Sequence, residues 1–152
     1  MKNLIFIILL ALVLAGCPGG TFQIQETPTH QAIAYGAGKA MGLVIMRVIP
    51  KADEELQGAF DGLMERNKAN LIVPPDEAIA YFSESVLILG RFSKNPYGLV
   101  GDLSAILLIF GAQYDPAGNL VGIQPVPKSV IMWFGMGYDS GRAAILQEDL
   151  AK

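Results

Sequence analysis

Residues 29–49 read THQAIAYGAGKAMGLVIMRVI and run up against Pro50. Proline lacks the N–H that a continuing helix needs, so the stretch predicts one helix that stops there. Ala34, Gly38 and Gly42 recur every four residues and fall on one face. Each glycine costs a helix about 1 kcal/mol relative to alanine, a loss that close backbone packing must offset. The helix is therefore expected at the centre of the fold, with another helix lying close against its small-residue face. Lys39 and Arg47 interrupt the apolar run and argue against a membrane span.

Downstream of Pro50 the helical signals repeat. Asp53, Glu54 and Glu55 precede the apolar stripe Leu56, Phe60, Leu63 and Met64, and Arg66 and Lys68 follow it. Acid first and base last matches the helix macrodipole, so residues 53–70 are expected to be helical. Pro74-Pro75-Asp76-Glu77 opens a third helix that continues through Ala78, Phe82, Val86 and Leu89 to Gly90. Leu99, Leu103, Ile106, Leu107 and Phe110 give a fourth, and residues 129–150, with Trp133, Phe134, Ile145 and Leu146, give a fifth. Between the last two, residues 112–127 read as an ordered, proline-rich loop. The expected class is mainly α, a single small bundle of about five helices.

An α+β alternative competes. Residues 107–115 (LLIFGAQYD) and 131–139 (IMWFGMGYD) align without gaps, and short repeats of this kind suit hairpins. On that reading the apolar runs 86–89, 106–110 and 130–134 are buried strands within hairpins spanning 86–138. The abundance of Leu, Met and Ala over Val and Thr favours helices.

The chain has 152 residues, a net charge of −3 and one cysteine. That length suits one domain. Lys and Arg are dispersed between Lys39 and Lys152, which removes the basic footprint of a nucleic-acid binder, and a lone cysteine rules out an intrachain disulfide.

At the amino terminus Met1-Lys2-Asn3 precedes an apolar run from Leu4 to Leu14, then Ala15-Gly16-Cys17. A short positive end, a hydrophobic stretch and small residues form a secretion signal, too short for a bilayer core that needs about 20 residues. The ending Leu14-Ala15-Gly16-Cys17 resembles the lipobox of bacterial lipoproteins. That resemblance implies removal of residues 1–16, a diacylglycerol on the Cys17 thiol and attachment to a membrane of the cell envelope. Pro18 stands where an inner-membrane lipoprotein commonly has Asp, so the resemblance points to the outer membrane, facing the periplasm, in a double-membraned cell. Residues 17–28 then serve as anchor and flexible tether, and 29–152 as the single helical domain. With its glycine-rich first helix and Phe-Gly-x-Gly last helix, the domain is similar to small helical proteins of bacteria and phages, a likeness that implies no activity.

Reactive groups are sparse. Gly36-Ala37-Gly38-Lys39 lacks the upstream glycine and the Ser or Thr of a phosphate loop. His30, the single histidine, is expected solvated at a helix start and cannot by itself build a triad or a His-rich metal site. Asp102, inside an apolar stretch and able to meet Lys39 or Arg91, is the one unusual charge, and with Glu84 it offers a carboxylate pair. Trp133 with Phe134 and Tyr138 offers an aromatic patch. Cys17 for lipid, and Asp102, Lys39, Trp133 and Tyr138 for function, are thus the candidate residues. No cofactor or metal is expected. A lipid-anchored, non-enzymatic module that contacts another envelope protein leads a tethered cell-wall hydrolase and a bilayer pore or exclusion factor.

Overall fold

The computed structural model describes residues 25–93, 111–114 and 120–151. These are mainly helical: α1 (Pro28–Val48), a 3-10 turn (Pro50–Ala52), α2 (Asp53–Arg66), α3 (Pro75–Phe92) and α4 (Lys128–Leu150). Short strands β1 (Ile72–Val73), β2 (Ala112–Tyr114), β3 (Leu120–Ile123) and β4 (Val126–Pro127) join them. The described residues thus hold four α-helices where five were expected; the segment 99–110 lies outside them.

Helix α1 begins as its sequence dictates. Thr27 is the N-cap, its hydroxyl accepting from the His30 N–H, with proline in the first turn. At the other end the Ile49 N–H bonds the Ile45 carbonyl, and the 3-10 turn built on Pro50 redirects the chain into α2. α2 stops at Arg66, short of residue 70, because Asn67 leaves helical geometry and turns its side chain back onto the Leu63 carbonyl at 3.0 Å. Lys128 at the start of α4 donates to the Lys68 carbonyl at 2.8 Å, fastening this corner.

Among the described residues the most extensive interface is α1 against α4. The two helices run parallel: Gly38 lies against Phe134 and Tyr138, and Gly42 against Tyr138 and Arg142. From the other side Gly137 meets Tyr35 and Lys39, and Gly141 meets Lys39 and Leu43. A Cβ on Gly38 would sit 1.9 Å from the Phe134 carbonyl oxygen; on Gly137, 2.0 Å from that of Tyr35. Gly42 and Gly141 would place theirs 2.3 and 2.2 Å from the carbonyl oxygens of Tyr138 and Lys39. Two glycine pairs spaced four apart thus interlock, and a hydrogen occupies each direction where a side chain would collide. Such approach favours dispersion and Cα–H···O=C contacts, which compensates for the poor helix propensity of glycine.

The core lies between this pair and the α2/α3 pair. Ile45, Leu56, Leu63, Ile88, Ile131 and Phe134 are buried in it. The Phe60 ring stacks edge-on to Tyr81 at 6.0 Å and tilts against Phe134 at 6.5 Å, filling the space above Gly135.

Within 112–127, expected as an ordered loop, residues 112–114, 120–123 and 126–127 form short strands. β2 and β3 pair antiparallel as a hairpin, with a register shift between Gln113 and Tyr114, and β4 pairs antiparallel with β1, Val73 opposite Val126. Both valines are fully buried, so the second pairing ties the α2–α3 connection to the entry of α4. Gly111 enters the hairpin at φ 87°, a left-handed conformation open to glycine, and its carbonyl accepts from the Gln124 N–H at 2.8 Å. Of the apolar runs that the α+β alternative takes as strands, 86–89 and 130–134 are helical, and 106–110 falls outside the described residues.

Candidate functional site

Close contact between α1 and α4 aims two side chains at the start of α2. Tyr138 and Arg142, one turn apart on α4, have their backbones seated on Gly42 and their side chains on Asp53. Asp53 is the first residue of α2 and is buried behind the 3-10 turn. Its Oδ1 accepts from the Tyr138 hydroxyl at 2.9 Å, and its Oδ2 accepts from Nε of Arg142 at 2.6 Å. The positive end of the α2 dipole adds to the stabilisation of this carboxylate.

The cluster is asymmetric. The Asp53 side chain is 8% exposed and that of Arg142 is 37% exposed, so the group opens to solvent at the guanidinium only. Burial raises the Tyr138 pKa well above its ordinary 10.0, and the hydrogen bond to Asp53 and its charge push the same way, against a smaller opposing effect of Arg142. Tyr138 is held as a neutral donor. A phenolate here would face a buried carboxylate, so the arrangement suits a tie between α2 and α4 rather than a nucleophile or a general base. Burial likewise pushes the neighbouring Tyr81 phenol up to about 12.

No family model matches this chain, and neither the curated proteins nor the solved structures contain a significant match to it.

Of the candidates named from sequence, Tyr138 belongs to the buried cluster, while Cys17 and Asp102 lie outside the described residues. Lys39 is exposed; it is its backbone, under Gly137 and Gly141, that is engaged. Trp133 sits on the outer side of α4, edge-on to Tyr35 with ring centroids 6.2 Å apart. Glu84 is exposed on α3, and Arg91 pairs with Glu55. His30 is half-buried rather than solvated: its Nδ1 lies 3.0 Å from both the Thr27 hydroxyl and the Gln25 carbonyl, within the cap of α1. Among the described residues no three His, Cys, Asp or Glu side chains come together as a metal site, and no single helix is long and apolar enough to cross a membrane.

Sequence reasoning missed Asp53 and Arg142. Asp53 had a sufficient explanation as one of three acids complementing the α2 dipole. The available signal was its position directly after Pro50-Lys51-Ala52, where a turn tight enough to reverse the chain leaves the next side chain facing inward.

Proposed function

We propose that this chain is a lipoprotein of the cell envelope, anchored through lipid on Cys17, whose helical domain is a non-enzymatic module that contacts another envelope protein. The observation that carries the reading is Leu14-Ala15-Gly16-Cys17 at the end of an apolar run, with the chain's single cysteine in the acylated position. The folded part supports it: both oxygens of the buried Asp53 carboxylate are occupied, one by a phenol held protonated, as suits a rigid scaffold. An acyl anchor contributes about 0.8 kcal/mol per buried CH₂, so two or more chains hold the protein at the bilayer. The domain is then free to present its surface to a partner in the same envelope.

The test is expression of the full chain in a double-membraned bacterial host with radiolabelled palmitate, beside Cys17→Ser. Wild type is expected to incorporate label, to pellet with membranes and to crosslink to a defined envelope protein. Cys17→Ser is expected to lose the label and the membrane association. Equal fractionation of the two forms would refute the anchor, and the absence of any crosslinked envelope protein would refute the module.

A further inference from the structure

The parallel arrangement of α1 and α4 places both helix starts at one end of the molecule, the end where the tether enters. Trp133 touches Tyr35, which lies seven residues, about 10 Å, along α1 from Pro28. Met132 and Met136 flank Trp133 on the outward side of α4, 47% and 52% exposed, with Trp133 itself 37% exposed. At the start of α1, Pro28, Thr29, Ala32, Ile33 and Gly36 line a shallow, open and mostly apolar surface. Asp139, one turn further along α4, accepts a hydrogen bond from the Gln57 side chain of α2 at 3.2 Å.

The sequence distance from Cys17 to the start of α1 bears on what lies against this surface. Seven residues lie between Cys17 and Gln25 in the sequence, so the eight steps from one to the other reach at most about 28 Å. An acyl group on Cys17 therefore keeps the Trp133 end within a few tens of ångströms of lipid headgroups. At that effective concentration a weak interfacial preference suffices for contact. Trp and Tyr supply such a preference, each with an apolar body and a polar tip suited to the headgroup layer, and flexible Met side chains adapt to it.

We propose that this end of the α1/α4 pair rests on the bilayer, with Trp133, Met132 and Met136 in the headgroup layer, so that the domain has a fixed orientation on the membrane. The inference rests on the lipid-anchor reading. Its test supplies the anchor chemically, so that the two fail separately.

Trp133 is the only tryptophan and Cys17 the only cysteine, which gives one reporter and one attachment point. The chain from Cys17 onward is coupled through that thiol to a maleimide phospholipid in phosphatidylcholine vesicles, with acyl chains brominated near the headgroup or near the bilayer centre. Trp133 emission is expected to shift to the blue on coupling and to be quenched at least about twofold more by the shallow bromines than by the deep ones. Met132→Glu/Met136→Glu is expected to abolish most of the quenching with unchanged circular dichroism. Trp133→Phe/Leu150→Trp, which moves the reporter to the opposite end of α4, is expected to show none. Emission unaltered by coupling and indifferent to bromine would overturn the proposal, as would equal quenching at positions 133 and 150. A stable dimer of the uncoupled protein that shields Trp133, without bromine quenching after coupling, would overturn it in favour of self-association. An unmodified Cys17 in cells would refute the anchor and leave the vesicle result standing.

Discussion

Asp53 and Tyr138 are 85 positions apart in the chain and 2.9 Å apart in the fold. The contact exists because Gly42 lets the Tyr138 backbone settle onto α1, which fixes where the phenol reaches. Glycine spacing, helix pairing and the buried polar cluster are thus one structural device, and each can be tested separately.

Two glycines of the same helix should respond to alanine in opposite directions. A Cβ at Gly36 meets nothing within 4 Å, whereas at Gly38 it would collide with the Phe134 carbonyl oxygen. Gly36→Ala is expected to stabilise by about 0.5–1 kcal/mol through helix propensity. Gly38→Ala is expected to destabilise by about 2 kcal/mol or more, as overpacking against backbone does. Urea unfolding monitored by circular dichroism measures both. Similar small effects at the two positions would contradict the interlocked packing.

Truncating the polar cluster should reveal coupling. Tyr138→Phe removes one donor from a carboxylate that keeps its arginine, at an expected cost of about 1–2 kcal/mol. Asp53→Ala leaves Tyr138 without its acceptor and Arg142 without its counter-charge, at about 2–3 kcal/mol, moderated by the solvent access of the guanidinium. The double variant should cost clearly less than the sum of the two, and a double-mutant cycle reads the difference. As a contrast, Glu148→Gln at the exposed Arg47 pair is expected to change stability by less than about 0.5 kcal/mol.

Stability should fall in alkali. Tyr138 and Tyr81 both have folded-state pKa values above the ordinary 10.0. The unfolded chain releases these protons first as pH rises, so their stabilising contribution is complete below about pH 10 and declines above it. For Tyr81 the decline extends to about pH 12, and for Tyr138 it extends further. Denaturation midpoints between pH 8 and 11.5 are expected to be level and then to drop, with a shallower drop in Tyr138→Phe. An identical slope in that variant would contradict the assignment.

Much of the helical framework is legible in the sequence because its signals are local. Pro50 ends α1, the acids at 53–55 start α2, and Pro75 opens α3, each within one turn of the boundary found. The Ala34, Gly38 and Gly42 face is likewise a matter of spacing, and it is the face buried against the rest of the fold. The short strands at 112–114, 120–123 and 126–127 are opaque in the sequence because two- to four-residue strands carry no periodicity, and the partner of β4 is β1, some fifty positions away. The LLIFGAQYD and IMWFGMGYD repeat misleads for a related reason: Gly111 turns into a strand while Gly135 stays within α4, under the Phe60 ring. In the candidate site, Tyr138 was visible as an aromatic on a packed helix. Its partner was not, since an acid at a helix start reads the same whether it faces solvent or a phenol.

Intact mass spectrometry of the protein extracted from the membrane fraction is the most direct test of lipid anchorage. Acylation predicts a chain beginning at Cys17, lacking residues 1–16 and carrying a diacylglyceryl thioether on that residue. A chain that retains residues 1–16, or one that begins elsewhere with the Cys17 thiol free, would contradict it.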